Sequence, residues 1–338
     1  MKLILHAFTL PLRHAFTISR GSTTHQPTLI VELTDGHEHG YGEATSNRYY
    51  GVTVESIKGS LKRARNVIES HAADDPEHLW EAVGDALGED PFARCALDQA
   101  AHDLWGKRRG RPVHQLWGLH ADKRPLTSFT IGIDRIDVMV RKMQEMPGWP
   151  IYKIKLGTPD DVEIVRALRE QTDATFRVDA NCAWTASETI DRAVVMKQLG
   201  VEFIEQPLPA DQWEAMREVR ARSVLPVIAD ESCVGPQDIS RCSDTFHGVN
   251  IKLVKCGGLT PARRMLKQAR SLGLKTMVGC MTESTVGISA AAQLLPMLDY
   301  ADLDGALLLS RDIATGVRFE QGEAIYPQVD GCGVTLEG

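Results

Sequence analysis

The sequence predicts an α/β protein in which a small α+β unit precedes a barrel of parallel strands. Three observations carry this. From Thr127 onward, eight short apolar runs alternate with amphipathic helical segments, the rhythm of repeated βα units. Acidic and lysine side chains recur where those runs end, at steps of 24, 26, 25 and 22 residues from Lys155 through Asp179, Glu205 and Asp230 to Lys252. The competing doubly wound sheet would usually carry a glycine-rich phosphate loop, and neither GxGxxG nor GxxxxGK followed by Ser or Thr occurs.

The elements follow in order. Residues 2–19 and 27–34 alternate as two antiparallel strands would, joined through Ser19–Thr24. Thr34-Asp35-Gly36 reads as a turn and His39–Glu43 as a third strand. Val54–Ile68, Pro76–Leu87 and Pro91–Lys107 have helical periodicity; in the last, Ala96, Leu97, Ala100, Ala101 and Leu104 share a face and Gly110 closes the helix. The eight expected barrel strands are Ser128–Ile131, Tyr152–Leu156, Phe176–Asp179, Glu202–Glu205, Pro226–Asp230, Val249–Leu253, Lys275–Val278 and Tyr300–Leu303. Between them, Thr158-Pro159 and Thr260-Pro261 are expected to open helices, Thr185-x-x-Glu188 is a capping box, and Gly200 and Gly273 are stops.

Composition narrows the function classes. At 338 residues the chain is long enough for roughly two domains and a full core. Charged residues at 25% and hydrophobic ones at 43% exclude wholesale disorder. The balance of 38 Lys+Arg against 45 Asp+Glu, net −7 with no basic stripe, argues against a nucleic-acid partner. No apolar run reaches the ~18 residues of a membrane helix, and Met1–Leu10 reads as a strand, not a secretory signal. Seven scattered cysteines without a CxxC pair argue for a reducing cytoplasm and against structural zinc.

In a barrel, chemistry sits at the carboxyl ends of the strands. There stand Lys153-Ile154-Lys155, Asp179 with Asn181, Glu205, Asp230-Glu231, Lys252, Glu283 and Asp302-Leu303-Asp304. Asp179, Glu205 and Asp230, on three neighbouring strands, form a hard-oxygen set suited to Mg²⁺, and no nearby His or Cys pulls the site toward zinc. Lys153 and Lys155, two apart, share an inward face. Lys153 reads as support for the carboxylates and Lys155 as a base, with Lys252 across the barrel.

The motifs Lys153-Ile154-Lys155, Val178-Asp179-Ala180-Asn181, Ile204-Glu205-Gln206-Pro207, Ala229-Asp230-Glu231-Ser232 and Asn250-Ile251-Lys252-Leu253-Val254-Lys255-Cys256-Gly257-Gly258 resemble the enolase superfamily and its muconate-cycloisomerase-like subgroup. The helix Ala96–Gly106 also resembles the family's, and the likeness spans nearly the whole chain. The resemblance implies a (β/α)7β modified TIM barrel, residues 123–312. An α+β capping domain, 1–122, would precede it, and a carboxyl-terminal segment, 313–338, would return to the cap. It implies one Mg²⁺ per subunit, replaceable by Mn²⁺, on Asp179, Glu205 and Asp230, with Lys155 and Lys252 as acid/base pair. Lys255 would be a neighbour pointing away from Lys252 along the strand.

Asp302-Leu303-Asp304 resembles the acidic pair with which the family's dipeptide epimerases hold a substrate ammonium group. In Ala-Glu epimerases a loop arginine contacts the distal carboxylate, and Arg20 falls at a matching place, with Arg48, Tyr49 and Tyr50 as further candidates. Lys153 and Glu283 complete the substrate-binding set, while Glu231, Asn181 and Glu283 would orient the metal ligands. Cys182, Cys256 and Cys280 read as packing residues. The activity so implied is a cytoplasmic, homo-oligomeric isomerase. It would be a Mg²⁺-dependent dipeptide epimerase inverting the carboxyl-terminal residue of an L-Ala-Xaa dipeptide, L-Ala-D/L-Glu first. Same-fold alternatives are an o-succinylbenzoate synthase, an N-acylamino acid racemase or a cycloisomerase. A metal-free Schiff-base aldolase and a barrel that only binds are the alternatives of other classes.

Overall fold

The computed structural model describes residues 1–72, 74–88, 90–122 and 124–337. The expected boundary residue Lys123 and the last residue, Gly338, lie outside the described residues. Strands β1 (Lys2–Ile18), β2 (Gly21–Thr34) and β3 (His39–Thr45) form an antiparallel sheet in that order. The β1–β2 hairpin pairs from Lys2↔Thr34 to Pro11↔His25, shifts register, and resumes at Phe16↔Thr23. Its tip therefore extends beyond the sheet.

Helices α1 (Val54–Ser70), α2 (Pro76–Ala82), α3 (Gly84–Leu87) and α4 (Pro91–Arg109) follow. The expected helix Pro76–Leu87 breaks at Val83 into two. Thr53 and Ser56 form a capping box on α1, and Gly110 ends α4 in the left-handed conformation at φ 62. Helix α4 lies directly on β3. A side chain at Gly40 or Gly42 would collide with the backbone oxygens of Ala100 or Ala96, so the helix sits at a distance that only glycine permits.

The short α5 (Val113–Leu116) leads into the barrel. Its strands are β4 (Phe129–Ile131), β5 (Ile151–Lys155), β6 (Thr175–Asp179), β7 (Val201–Glu205), β8 (Val227–Ala229), β9 (Gly248–Lys252), β10 (Lys275–Gly279) and β11 (Tyr300–Asp302). They lie in chain order in one parallel sheet. A parallel bridge between Thr127 and Ala301 closes the ring, with the Ser128 N–H 3.3 Å from the Ala301 oxygen. All eight expected strands are present, with ends shifted by a residue or so.

Outside run α6 (Ile136–Gln144), α7 (Asp161–Arg169), α8 (Ala186–Gln198), α9 (Trp213–Arg222), α10 (Asp238–Thr245), the single turn α11 (Leu253–Cys256), α12 (Leu259–Ser271) and α13 (Thr285–Ala292). The Thr185/Glu188 capping box forms. Two expected openings differ. Helix α7 starts at Asp161, whose carboxylate accepts the Gly157 and Thr158 N–H groups, so Thr158-Pro159 is a turn before it. Helix α12 starts at Leu259, and Thr260 spends its N–H and hydroxyl on Asp98 of α4, at 2.9 and 2.7 Å. That contact fastens the barrel to the amino-terminal unit.

The chain end returns to the same unit. Strands β12 (Ala314–Thr315) and β15 (Thr335–Leu336) pair, as do β13 (Arg318–Glu320) and β14 (Glu323–Ile325). Buried Asp103 of α4 accepts the Cys332 N–H at 2.7 Å and Lys107 at 2.8 Å, and Lys107 also donates to the Val334 oxygen. The barrel floor is apolar: Phe203, Ile228 and Met277 cluster with Tyr300. Arg177 lies over both the Phe203 and Tyr300 rings, which touch each other, and is paired with Glu202 at 2.8 Å. Among the described residues no helix is long and apolar enough to cross a membrane.

The close approach of α4 to β3 makes a paired prediction. Gly42→Ala is expected to destabilise the protein by about 2–3 kcal/mol through overpacking against backbone. Gly59→Ala, where a methyl would meet only Arg63 at 3.5 Å inside α1, is expected to stabilise by about 0.5–1 kcal/mol. Denaturant midpoints of the two variants check both signs.

Candidate active site and metal centre

Side chains two apart on each strand share the barrel interior, so the last inward position of each strand lines the mouth. Register sets Lys155 beside Asp179 and Asp179 beside Glu205. One carboxylate oxygen from each of Asp179, Glu205 and Asp230 lies within 4.8 Å of the others, and all three residues are buried. The expected ligand set is thus assembled.

The cations are arranged around it. Lys153, 1% exposed, reaches Asp302 at 2.7 Å, Glu205 at 2.8 Å and Asp179 at 3.2 Å. Lys155 donates to Asp179 Oδ2 at 2.6 Å and Lys252 to Asp230 Oδ2 at 2.9 Å. In the strand order, β5 and β9 are separated by β6, β7 and β8, so these two amines face each other across the barrel. Lys255 departs from expectation. The strand stops at Lys252 and α11 turns the chain, so Lys255 points back to Asp230, bonding Oδ1 at 2.6 Å and the main-chain oxygen at 2.5 Å.

These pairs set the charge states. Burial raises the Asp179 carboxyl, but Lys155 and Lys153 outweigh it and hold it at about 2. Burial likewise opposes Asp230, and Lys252 and Lys255 bring it well below the ordinary range. Burial pushes Glu205 up to about 7, with Lys153 only partly compensating against Asp179 and Asp230. Burial would discharge Lys153, yet Asp302, Glu205 and Asp179 hold it firmly as an ammonium.

The donor set fits a hard divalent cation. Glu205 Oε2, Glu231 Oε2, Asn181 Oδ1 and Asn250 Oδ1 are buried and accept no hydrogen bond. Of these, Glu205 Oε2 has the Lys153 ammonium beside it as an ion-pair partner at 2.8 Å, while Glu231 Oε2, Asn181 Oδ1 and Asn250 Oδ1 are left without a hydrogen bond. Such oxygens are costly unless a cation uses them, and an all-oxygen set is what Mg²⁺ takes. Among the described residues no other group of three or more His, Cys, Asp or Glu lies close enough together to hold an ion.

Around the ligands the backbone is strained. Asn181, Cys182 and Gln206 have φ of 45, 68 and 33, in the region L side chains avoid. The turn lets Asn181 return its N–H to Asp179 Oδ1 at 2.9 Å and its amide to Asp179 and Glu231 at 3.3 and 3.5 Å. Gln206 Oε1 accepts the N–H groups of Asp230 and Ser232, and Asn250 donates to Glu205 Oε1 at 2.9 Å. Asn250 was legible in one way: it is two residues before Lys252 and shares its face. The role of Gln206 carried no such signal.

The remaining candidates divide. Asp302 accepts from Ser128 Oγ at 2.7 Å as well as Lys153, and Asp304 from the Thr130 N–H and hydroxyl at 2.5 and 3.2 Å. Burial and Asp302 push Asp304 up to about 7. Arg20 reaches the mouth and pairs with Glu231 at 2.7 Å, its guanidinium over the Tyr49 ring. Tyr50 is half-buried toward Lys255, and Arg48 is exposed. Glu283 takes the Met281 N–H at 2.8 Å. It lies near Glu43, and burial and that carboxylate push it up to about 8. No hydrogen bond from it to the three carboxylates is present among the described residues; Lys252, which bonds Asp230, is the charge it shares with them. Burial lifts the Cys182, Cys256 and Cys280 thiols, in keeping with packing roles.

Comparison with known proteins closes the case for the family. Residues 136–338 match the family described as "Enolase C-terminal domain-like", and residues 3–118 match the mandelate racemase / muconate lactonizing enzyme amino-terminal domain. The chain is 56% identical over 336 residues to the L-Ala-D/L-amino acid epimerase of Flavobacterium johnsoniae, covering 99% of this chain and 100% of that one. It is 40% identical to the L-Ala-D/L-Glu epimerase of Bacteroides thetaiotaomicron, covering 99% and 88%. The dipeptide epimerase of Cytophaga hutchinsonii, solved with Mg and the dipeptide D-Ala-L-Val, superposes with a TM-score of 0.93 at 25% identity, covering 99% of this chain and 95% of that one. On a barrel with this mouth and this cap, the chain belongs to the enolase superfamily, in its mandelate racemase / muconate lactonizing enzyme group.

Proposed function

We propose that this chain is a Mg²⁺-dependent dipeptide epimerase that inverts the α-carbon of the carboxyl-terminal residue of an L-Ala-Xaa dipeptide. The observation that carries it is the pair of amines, Lys155 and Lys252, facing each other across the Asp179–Glu205–Asp230 cluster. The relatives named as L-Ala-D/L-amino acid and L-Ala-D/L-Glu epimerases support the substrate class, with L-Ala-D/L-Glu the first dipeptide to try.

When bound, Mg²⁺ on those three carboxylates supplies electrophilic stabilisation of the substrate carboxylate as charge builds on it. One lysine takes the α-proton from its face and the other returns a proton to the opposite face, through an enediolate. Reversal exchanges the two roles. Lys153 adds a fixed positive charge, and the burial of the whole cluster keeps water from competing. Asp302 and Asp304 hold the substrate ammonium, which also favours the ionised form of Asp304. Glu283, beside Lys252, completes the substrate's surroundings, and Arg20 stands at the mouth on Glu231.

The division into a cap (1–122), a barrel (123–312) and a returning segment (313–338) belongs to the same proposal, supported by the Asp103–Cys332 and Asp98–Thr260 contacts. Seven unpaired cysteines support a cytoplasmic setting. Self-association of the chain is also part of the proposal, measurable by sedimentation velocity.

Four outcomes are expected. Incubated with L-Ala-L-Glu in D₂O and Mg²⁺, the protein should place deuterium at the glutamate α-carbon while inverting it. Lys155→Ala and Lys252→Ala should each lower epimerisation on the order of 10²–10⁴-fold. Undiminished turnover in either would remove that lysine from the chemistry. Chelation with EDTA should abolish activity and added Mg²⁺ restore it; activity that survives EDTA supports the Schiff-base alternative. Asp302→Asn and Asp304→Asn should raise the KM for dipeptides. Unchanged kinetics in both would favour a substrate without an ammonium group, as in an o-succinylbenzoate synthase.

A further inference from the structure

Arg20 sits at the tip of the β1–β2 hairpin, where its guanidinium has three partners. It pairs with Glu231 Oε1 at 2.7 Å, donates through Nη1 to the Asn181 oxygen at 2.9 Å, and covers the Tyr49 ring with Cζ 4.5 Å from its centroid. Ser19 adds its hydroxyl to the same Asn181 oxygen at 3.1 Å. The tip is seated, not hovering. A side chain at Gly157 would strike Ser19 and Ala183, both at 2.8 Å, and the Ile133 N–H bonds the Thr17 oxygen at 2.8 Å.

Both acceptors belong to the apparatus behind the metal ligands. Asn181 and Cys182 form the left-handed turn that brings the Asn181 N–H onto Asp179. Such a turn persists only where its surroundings hold it, and the Asn181 oxygen is held from above by Arg20 and Ser19. Glu231 follows the ligand Asp230 directly, is almost wholly buried, and shares Oε1 between Arg20 and Asn181. Turning the guanidinium toward a distal substrate carboxylate would strip Glu231 of its matching charge in a buried place.

We propose that Arg20 is a positioning residue of the metal centre. It pins the strained Asn181–Cys182 turn and the Glu231 carboxylate, so that docking of the cap hairpin and assembly of the cation site are one event. It does not read the side chain of the substrate. This rests on the metal reading of Asp179, Glu205 and Asp230, and its consequence is tolerance: the Arg20 contribution is the same for an acidic and an apolar dipeptide.

The test uses Arg20→Met, Arg20→Lys and the unaltered chain, with three readouts. In metal-free protein, hydrogen exchange at the amides of residues 181–184 should accelerate in Arg20→Met. Mg²⁺ affinity by calorimetry, without dipeptide, should weaken about tenfold or more. Arg20→Lys should recover part of that affinity, since it keeps the charge but not the planar fork. In turnover, L-Ala-L-Glu and L-Ala-L-Val should lose the same factor. Glu231→Gln, which breaks the pair from its buried end, should reproduce the pattern. Unchanged exchange, unchanged Mg²⁺ affinity, or a loss confined to the KM for L-Ala-L-Glu would overturn the proposal. If the unaltered chain turns over no dipeptide, the epimerase reading fails while the exchange and Mg²⁺ measurements still decide the role of Arg20.

Discussion

Everything at the barrel mouth depends on mutual neutralisation of buried charge. Six buried carboxylates (Asp179, Glu205, Asp230, Glu231, Asp302 and Asp304) are packed with four buried lysines (Lys153, Lys155, Lys252 and Lys255), and the exposed Arg20 closes on Glu231 from the solvent side. Ions taken out of water lose several kcal/mol each, and only close, well-directed partners return it. Lys153 is the hinge of this arrangement because it touches three carboxylates at once. Burial, with neighbouring carboxylates adding to it, lifts Glu205 and Asp304 both to about 7. A site so balanced is primed for one more cation and resists collapse meanwhile.

The scaffold explains how so much charge can be afforded. Below the polar mouth the barrel is filled by Phe203, Ile228, Met277 and Tyr300, an apolar plug. Above it lies the amino-terminal unit, fastened through Asp98 to Thr260 and through Glu43 to Ser284 at the start of α13. The fasteners are themselves buried carboxylates, each held by backbone N–H groups and hydroxyls. The polar stratum is therefore held between two structural ones and borrows rigidity from both.

Much of this was legible beforehand, for a definite reason. The period-two rule puts Lys153 and Lys155 on one face of their strand, and the regular spacing of βα units in an expected barrel brings Asp179, Glu205, Asp230 and Lys252 to a similar height. The quoted motifs supplied the family. What escaped were features that depend on departures from regularity. Lys255 was placed as a strand residue, and a single helical turn at Leu253–Cys256 sends it back to Asp230. Glu283 stands in the expected loop, yet its carboxyl takes the Met281 N–H and lies near Glu43 as well as Lys252. The strained φ of Asn181, Cys182 and Gln206 leaves no trace in residue type, because none of them is glycine. Arg20 was placed at the mouth, but its partners Glu231 and the Asn181 oxygen could come only from three-dimensional proximity.

The seam between the first and last staves of the barrel has a consequence for descent. No run of ladder bonds joins β4 to β11; one bridge does, reinforced by Asp302 on Ser128 and Asp304 on Thr130. The two acids are rivets as well as the proposed holders of the substrate ammonium. A descendant drifting toward a substrate with no amino group cannot simply discard them, since the Thr130 N–H would be orphaned at the joint. New chemistry at that end must bring its own stitching, so the joint limits which innovations this lineage can reach by single steps.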